Sequence, residues 1–430
     1  MEQLKLFKWQ RTALDQAASH ASYGLFADPG TGKTYAALTI AKSWTGEAIV
    51  ICPLSVKEQW HKEAKTVKIP LAVFHYEQLR QKKFFDVIAT ILKRNKTTLI
   101  LDESHRIKSP SALTTKAALK LSFLASHKLA LTGTPTANSP ADLYTQLKFL
   151  KPEKKMETYR DFQSEYIEAL PFNHPLMKRI AGRPFIPRKD KNGRMVLKNI
   201  ENLKARITSY GCTVKLNEVV ELPERSFVQK YCEQSKELLK TYNELRKNYT
   251  AKFLTKEVTA QNAAVLAGRL VRLTSGYGHA DFDVSFPNPK LQDLLEDIAS
   301  YTAVGKVIVW SVWVDERKDV IKELKEAGYK IAIEPKEFIE GDAQILVASP
   351  KMFGTGLNLQ LAKYQLWLSR SWSLLEREQA LARNYRAGQT EKTVVVDYLT
   401  KNTIDEFVLS ALETKTDLLN RIMTTGAFDA

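Results

Sequence analysis

Short, unbroken apolar runs recur along both halves of the chain, each followed by a polar loop and a stretch with helical periodicity. In the first 135 residues they are "YGLFA" ahead of a Gly-rich turn, "AIVICP" (48–53), "TLILDES" (98–104) and "HKLALTGTP" (127–135). The second half repeats the rhythm with "KVIVWS" (306–311), "QILVAS" (344–349), "YQLWLS" (364–369) and "TVVVDYL" (393–399). Runs without polar alternation mark strands covered on both faces, as in parallel sheets whose crossovers are helices. The pattern therefore predicts an α/β protein with two parallel sheets in tandem, flanked by helices. "MEQLKLFKWQRTALDQ" at the start and "TIDEFVLSALETKTDLLNRIM" near the end have the period of amphipathic helices.

Between the two rhythmic halves, residues 151–215 lose the alternation. The expected division is a first domain over 1–150, an insertion over 151–215 and a second domain over 216–430. Within the insertion, "FIPRKDKNGRMVL" (185–197) sets two short runs around Asn192-Gly193, a β-hairpin signal with a charged tip. A chain of 430 residues exceeds one ordinary core, which fits this division.

Charge changes the picture. The formal net charge is +16, and residues 151–215 carry fifteen Lys and Arg against seven Asp and Glu, a net of +8. Half of the excess in about one-seventh of the chain is a patch, and it points to a polyanion such as nucleic acid. Hydrophobic content of 44% and charged content of 26% describe a globular chain. The start lacks the long apolar stretch of a signal peptide, and no run is long enough to cross a bilayer, so a cytoplasmic protein without membrane association is expected. Three widely spaced cysteines, Cys52, Cys212 and Cys232, are expected to be reduced thiols.

"ADPGTGKT" (27–34) follows a strand and opens a helix, the setting of a phosphate-binding loop. Pro29, Gly30, Thr31, Gly32, Lys33 and Thr34 are the expected ATP-binding residues: backbone N–H groups cradle the phosphates, Lys33 reaches the β and γ phosphates, and the Thr34 hydroxyl binds Mg²⁺. The first glycine of the general pattern is Ala27 here. Asp102 at the end of a second strand is placed to hold Mg²⁺ through water, and Glu103 to orient and deprotonate the attacking water. An isolated Asp-Glu pair is often a surface turn, but this one follows an apolar strand and accompanies Lys33 and Thr34. Gln10, in "KWQRTALD", is a candidate reader of the adenine edge.

With "DESH" beside "LTGTP" and "QALARNYRAGQ", the chain resembles the Swi/Snf-type branch of superfamily-2 DNA helicases and translocases, in a compact bacterial or phage-like form. "CPLSVKEQW" (52–60) is similar to motif Ia, "LILDESHRIKSP" to motif II with Ser104 where the family usually has Ala, and "LALTGTPTANSPADLYTQLKFL" (129–150) to motif III. "NPKLQDLLEDI" (288–298) and "KVIVWS" resemble the approach to motif IV and the motif itself, "GTGLNLQLA" (354–362) motif V, and "QALARNYRAGQTEKTVVVDYL" (379–399) motif VI. The resemblance implies two RecA-like domains with ATP between them. On a helix, spacings of four and three put Gln379, Arg383 and Arg386 on one face, and the resemblance puts Gln379 at ATP and both arginines in a catalytic role at the γ-phosphate. His105, Thr132, Gly133 and Thr134 would couple nucleotide state to DNA. Ser55, Lys57, Trp60, Ser311, Thr355 and Asn358 would touch DNA phosphates, with core packing the alternative for Trp60 and Trp313. Such contacts carry no base information, so sequence-independent, salt-dependent binding is expected.

Large helical insertions and chromatin-reading modules, usual in this branch, are missing from the sequence. The resemblance then implies an ATP-dependent motor that remodels forked or junction DNA in replication, repair or recombination, acting as a monomer. Displacement of proteins from duplex DNA without strand separation is the alternative. Phe185, Arg188, Lys189, Lys191 and Arg194 on the 185–197 hairpin are candidates for a strand-splitting wedge, against a plain solvated hairpin.

Overall fold

A computed structural model describes residues 6–151, 157–171, 173–174, 185–191, 194–254, 260–278, 286–353 and 358–423. They form two six-stranded sheets in which every paired strand is parallel. The first holds β1 (Ser22–Ala27), β2 (Ala48–Cys52), β3 (Leu71–His75), β4 (Thr98–Asp102), β5 (His127–Leu131) and β6 (Gly211–Val214), in the order β3-β2-β4-β5-β1-β6. The second holds β7 (Arg225–Cys232), β8 (Lys306–Trp310), β9 (Ile331–Ala332), β10 (Ile345–Ala348), β11 (Ala362–Trp367) and β12 (Thr393–Thr400), in the order β7-β12-β11-β8-β10-β9.

All eight apolar runs are strands, so the two-sheet α/β architecture expected from them is the one observed. β3, β6, β7 and β9, which no run announced, are the four edges of the two sheets. An edge strand pairs on one side only and need not be apolar throughout: β7 leaves Phe227, Val228 and Tyr231 exposed. The helices Lys8–Ala17, Lys33–Trp44 and Lys57–Val67 bury Trp9, Leu38, Ile40 and Trp60 against β1, β2, β4 and β5. In the second sheet Pro289–Val304 and Val314–Glu326 cover one face, while Trp310 and Trp367 fill the other. Gly211 makes β6 possible: a Cβ there would lie 2.1 Å from the Gly24 carbonyl oxygen, so only glycine lets this strand pair with β1.

The chain divides into two compact units, Met1–Glu221 together with Thr414–Ala430, and Leu222–Glu413. The whole segment expected as an insertion, 151–215, falls within the first unit, and its residues 211–214 complete the first sheet. The hairpin is present as an antiparallel pairing of Lys189 with Met195, extended by Ala169 with Pro187 and Ile167 with Leu197. Its turn residues Asn192 and Gly193 lie outside the described residues. The three cysteines are free and buried. Among the described residues no helix is long and apolar enough to cross a membrane.

Candidate nucleotide-binding site

β4, β5 and β1 are neighbours in the first sheet, and a motif-bearing loop leaves the C-terminal end of each. In parallel sheets that edge is where ligands gather. After β1 the chain turns through Gly30 and Gly32, both in left-handed conformations (φ 87° and 83°), and enters the twelve-residue helix Lys33–Trp44. No side chain caps this helix and no acid stands in its first turn, so its leading N–H groups and dipole suit an anion. Thr31 anchors the loop by donating its hydroxyl to the Asp28 carbonyl at 2.8 Å. Asp28 is fixed from the far side: its N–H donates to Val214 of β6, and its carboxylate accepts from the Leu216 N–H at 3.1 Å, with Lys215 3.9 Å away. Gln10 is buried against the loop and donates its amide to the Gly32 carbonyl at 3.1 Å, while its oxygen accepts from the Phe7 N–H.

Asp102 ends β4 with both oxygens engaged. Oδ2 accepts from the Trp60 indole N–H at 2.8 Å and Oδ1 from the Glu103 N–H at 3.0 Å, while its carbonyl accepts from the Tyr76 hydroxyl at 2.7 Å. Burial and then the Glu103 charge push the Asp102 carboxyl above the usual carboxylate range, against the pull of Trp60 and Lys33. Two acidic groups held together at a strand end suit a divalent cation, and the oxygen donors Asp102 and Thr34 are the hard ligands Mg²⁺ takes. Glu103 has a left-handed backbone (φ 54°), a conformation disfavoured for a non-glycine residue and of the kind found at functional sites. Its carboxylate lies 3.3 Å from His105 Nδ1, which is 2.9 Å from the Thr132 hydroxyl. Burial pushes His105 down to about 4, so the ring is neutral at pH 7, and Glu103 and Thr132 converge on the same ring nitrogen, Nδ1.

Thr132 to Thr134 follow β5. The Thr134 N–H donates to the Thr132 hydroxyl and the Thr132 N–H to the Leu25 carbonyl. Gly133 touches the phosphate loop, where a Cβ would stand 2.7 Å from Pro29 Cδ. Ser104, in place of the usual Ala, donates to Gln146 at 2.8 Å.

Several expected roles need correction. Of the two readings of Trp60, contact with DNA phosphates and core packing, the structure bears out the second: it is 1% exposed and spends its one polar hydrogen on Asp102. Ser311 was expected at DNA phosphates, yet it is fully buried, and its hydroxyl and that of Ser369 donate to the buried Glu316. Gln379 lies on the helix Leu374–Leu381, but Arg383 and Arg386 come after its end and share no helix face with it. The helix stops because Gln365 of β11 donates to the Ala380 and Leu381 carbonyls and to Asn384, which in turn donates to Ala362. Ser55 and Asn358 are exposed and Lys57 is half-buried. Thr355 lies outside the described residues. On the hairpin, Arg188, Lys189, Lys191 and Arg194 are exposed and Phe185 is half-buried, with Arg188 paired to Glu168 and Arg194 lying 3.8 Å from Asp417.

Tyr76, Lys215 and Leu216 were missed, since they support the site through backbone groups or from distant sequence. So was the buried cluster of the second unit, where Arg370 and a bidentate Arg377 hold Asp397. Among the described residues no group of three or more His, Cys, Asp or Glu could hold a metal ion.

A glycine-turned loop leading into a helix that no side chain caps, beside an acidic strand end, has the form of a P-loop in an α/β protein. The SNF2-related domain matches residues 3–275, more than half of the chain, and the chain belongs to that family. A SWI/SNF-related matrix-associated actin-dependent regulator of chromatin subfamily A-like protein 1 homolog of Caenorhabditis elegans is 31% identical over 190 residues, 38% of this chain and 26% of that protein. The putative ATP-dependent helicase/translocase YwqA of Bacillus subtilis (strain 168) is 25% identical over 426 residues, 87% of this chain and 43% of its own. The chain thus spans less than half the length of these curated relatives. The solved Sulfolobus solfataricus SWI2/SNF2 ATPase core in complex with dsDNA is 21% identical, with 98% of this chain and 93% of that one covered and a TM-score of 0.40.

Proposed function

We propose that the chain is a DNA-stimulated ATP hydrolase that uses turnover to move along or remodel DNA. The observation that carries this reading is the meeting of three loops at one sheet edge: the phosphate loop after β1, Asp102-Glu103 after β4 and Thr132–Thr134 after β5. Family membership supports it, because a relative of this chain is described as a helicase/translocase.

In this reading the N–H groups from Gly30 to Thr34 bind the phosphates, Lys33 neutralises the β and γ oxygens, and Gln10 reads adenine. Thr34 and Asp102 would hold Mg²⁺, which when bound supplies charge neutralisation at the phosphates. Glu103 orients the attacking water and takes its proton, and His105, whose Nδ1 faces both Glu103 and Thr132, is assigned with Thr132, Gly133 and Thr134 to coupling nucleotide state to DNA. Arg383 and Arg386 of the second unit are assigned to the γ-phosphate charge that develops in the transition state, a role worth roughly a thousand-fold or more in rate, and Gln379 to the nucleotide. Ser55, Lys57, Thr355 and Asn358 are assigned to the DNA backbone.

The finer reading is action on forked and junction DNA with the 185–197 hairpin as wedge. One observation favours the alternative of duplex translocation without strand separation: two of the hairpin's four basic side chains already face carboxylates, Arg188 on Glu168 and Arg194 near Asp417. The test compares ATP turnover and strand conversion on a labelled four-way junction, a blunt duplex and a single strand, with Lys33→Ala as control. DNA-stimulated turnover lost in Lys33→Ala is expected. Junction resolution supports the remodelling form, and turnover on duplex with no strand movement supports the translocase. A native protein whose ATP turnover ignores DNA overturns both.

A further inference from the structure

Of the residues around the acidic strand end, Trp60 stands out because the mechanism above leaves it without a task. Its ring is enclosed in the first core, among the side chains of the helices that flank β2 and β4. Its indole N–H reaches Asp102 Oδ2 at 2.8 Å, across 42 positions of sequence. A carboxylate oxygen has a second lone pair, so this bond fixes the Asp102 rotamer while leaving an acceptor site for a hydrated cation. The other end of the same element faces outward. Trp60 lies one helical turn after Lys57, the first residue of the helix Lys57–Val67, and the turn Leu54–Val56 with exposed Ser55 immediately precedes it. A single turn of hydrogen-bonded helix is stiff, so a pull on Ser55 or Lys57 reaches the indole and through it the carboxylate.

We infer that Trp60 is a positioning residue: its indole N–H sets the orientation of Asp102 and ties that cation-holding carboxylate to the Ser55–Lys57 turn where DNA is expected. This rests on the proposed nucleotide reading and adds a line of communication separate from the Glu103, His105 and Thr132 contacts. Tyr76 complements it by holding the Asp102 carbonyl, which fixes the backbone that the indole cannot reach.

The test uses the full chain with Trp60→Phe and, in a second protein, Trp60 replaced by benzothienylalanine, which keeps the bicyclic shape and puts sulfur in place of the N–H. Binding of a fluorescent ADP analogue is followed in EDTA and across a Mg²⁺ titration, with and without duplex DNA. Affinity in EDTA is expected to match the native protein in the benzothienylalanine protein. The Mg²⁺ concentration that gives half of the binding enhancement is expected to rise about tenfold in both, as when support of a metal ligand is removed. Any shift of that midpoint by DNA in the native protein is expected to vanish. A midpoint within twofold of native in the benzothienylalanine protein overturns the inference. Loss of affinity in EDTA by that protein does so too, because it assigns Trp60 to packing alone. If the native protein shows no Mg²⁺-dependent nucleotide binding, the nucleotide reading itself falls; if it does and the variants match it, only the role of Trp60 falls.

Discussion

Replacing Gly133 by alanine should uncouple the phosphate loop with one methyl group. The new Cβ would stand 2.7 Å from Pro29 Cδ, 3.2 Å from the Ala27 carbonyl oxygen and 3.3 Å from Pro29 N, whereas ordinary contact begins at 3.4 Å. Either the Pro29 ring retreats by about 0.7 Å or the loop after β5 does. That loop is held, since the Thr132 N–H donates to the Leu25 carbonyl and its hydroxyl accepts from Thr134. The movement therefore falls on Pro29, whose ring locks φ, and passes to Gly30 and the N–H groups beyond. Misplacing a reacting group by about 1 Å costs on the order of 100-fold, which is about 2.7 kcal/mol in the barrier. Overpacking adds about 1–3 kcal/mol of lost stability. DNA-stimulated ATP turnover should fall between about ten- and 100-fold, with a measurable drop in melting temperature. Turnover within about threefold of native, with an unchanged melt, would refute the claim that the two loops interlock through this contact.

Lys33→Ala or Glu103→Gln should abolish ATP turnover while DNA binding, measured by anisotropy, stays near native; turnover at the native rate in either would remove that residue from the site. Deleting residues 188–194 should leave DNA-stimulated ATP turnover and weaken junction unwinding, and equal loss of both would make the hairpin structural. Burial works to raise the Asp397 carboxyl, but Arg377 and Arg370 hold it below the usual range. A depressed folded value means the stabilisation is full above the ordinary carboxylate range and is lost as pH falls through the lowered value. Thermal melts should therefore weaken on acidification below about pH 4, and Asp397→Asn, which removes the carboxylate that both buried guanidinium groups hold and leaves Arg370 only the more distant Asp405 charge, should cost about 3 kcal/mol at pH 7 and flatten that dependence.

The inner strands were readable from sequence because burial on both faces forces an apolar run, and the four edges were not because nothing forces one there. β6 has only "GCTV" to offer, and its place is settled by a close approach of Gly211 to Gly24 that leaves no local pattern. The places of Lys33, Asp102 and Thr132 at strand ends were legible for a different reason: Asp102 is the last residue of its strand, Thr132 follows one directly and Lys33 follows a strand's turn, so position along the chain fixes position in space. For Trp60 the choice between core and DNA stayed open, and its bond to Asp102 was missed because it spans 42 positions: an aromatic on a helix looks the same whether it faces a core carboxylate or a ligand. The phase of Arg383 and Arg386 failed since the helix is stopped by a glutamine on β11, again a long-range cause.

The pairing of β1 with β6 joins Gly24 to Gly211, and the carboxylate of Asp28, inside the phosphate loop, accepts from Leu216. During synthesis the loop is made early, but its outer wall emerges from the ribosome only after some two hundred residues have been added. The nascent first sheet thus carries an open flank beside β1 through most of its assembly, and long-range parallel pairing of this kind is slow to form. The loop is therefore not braced on that side until the chain returns at β6.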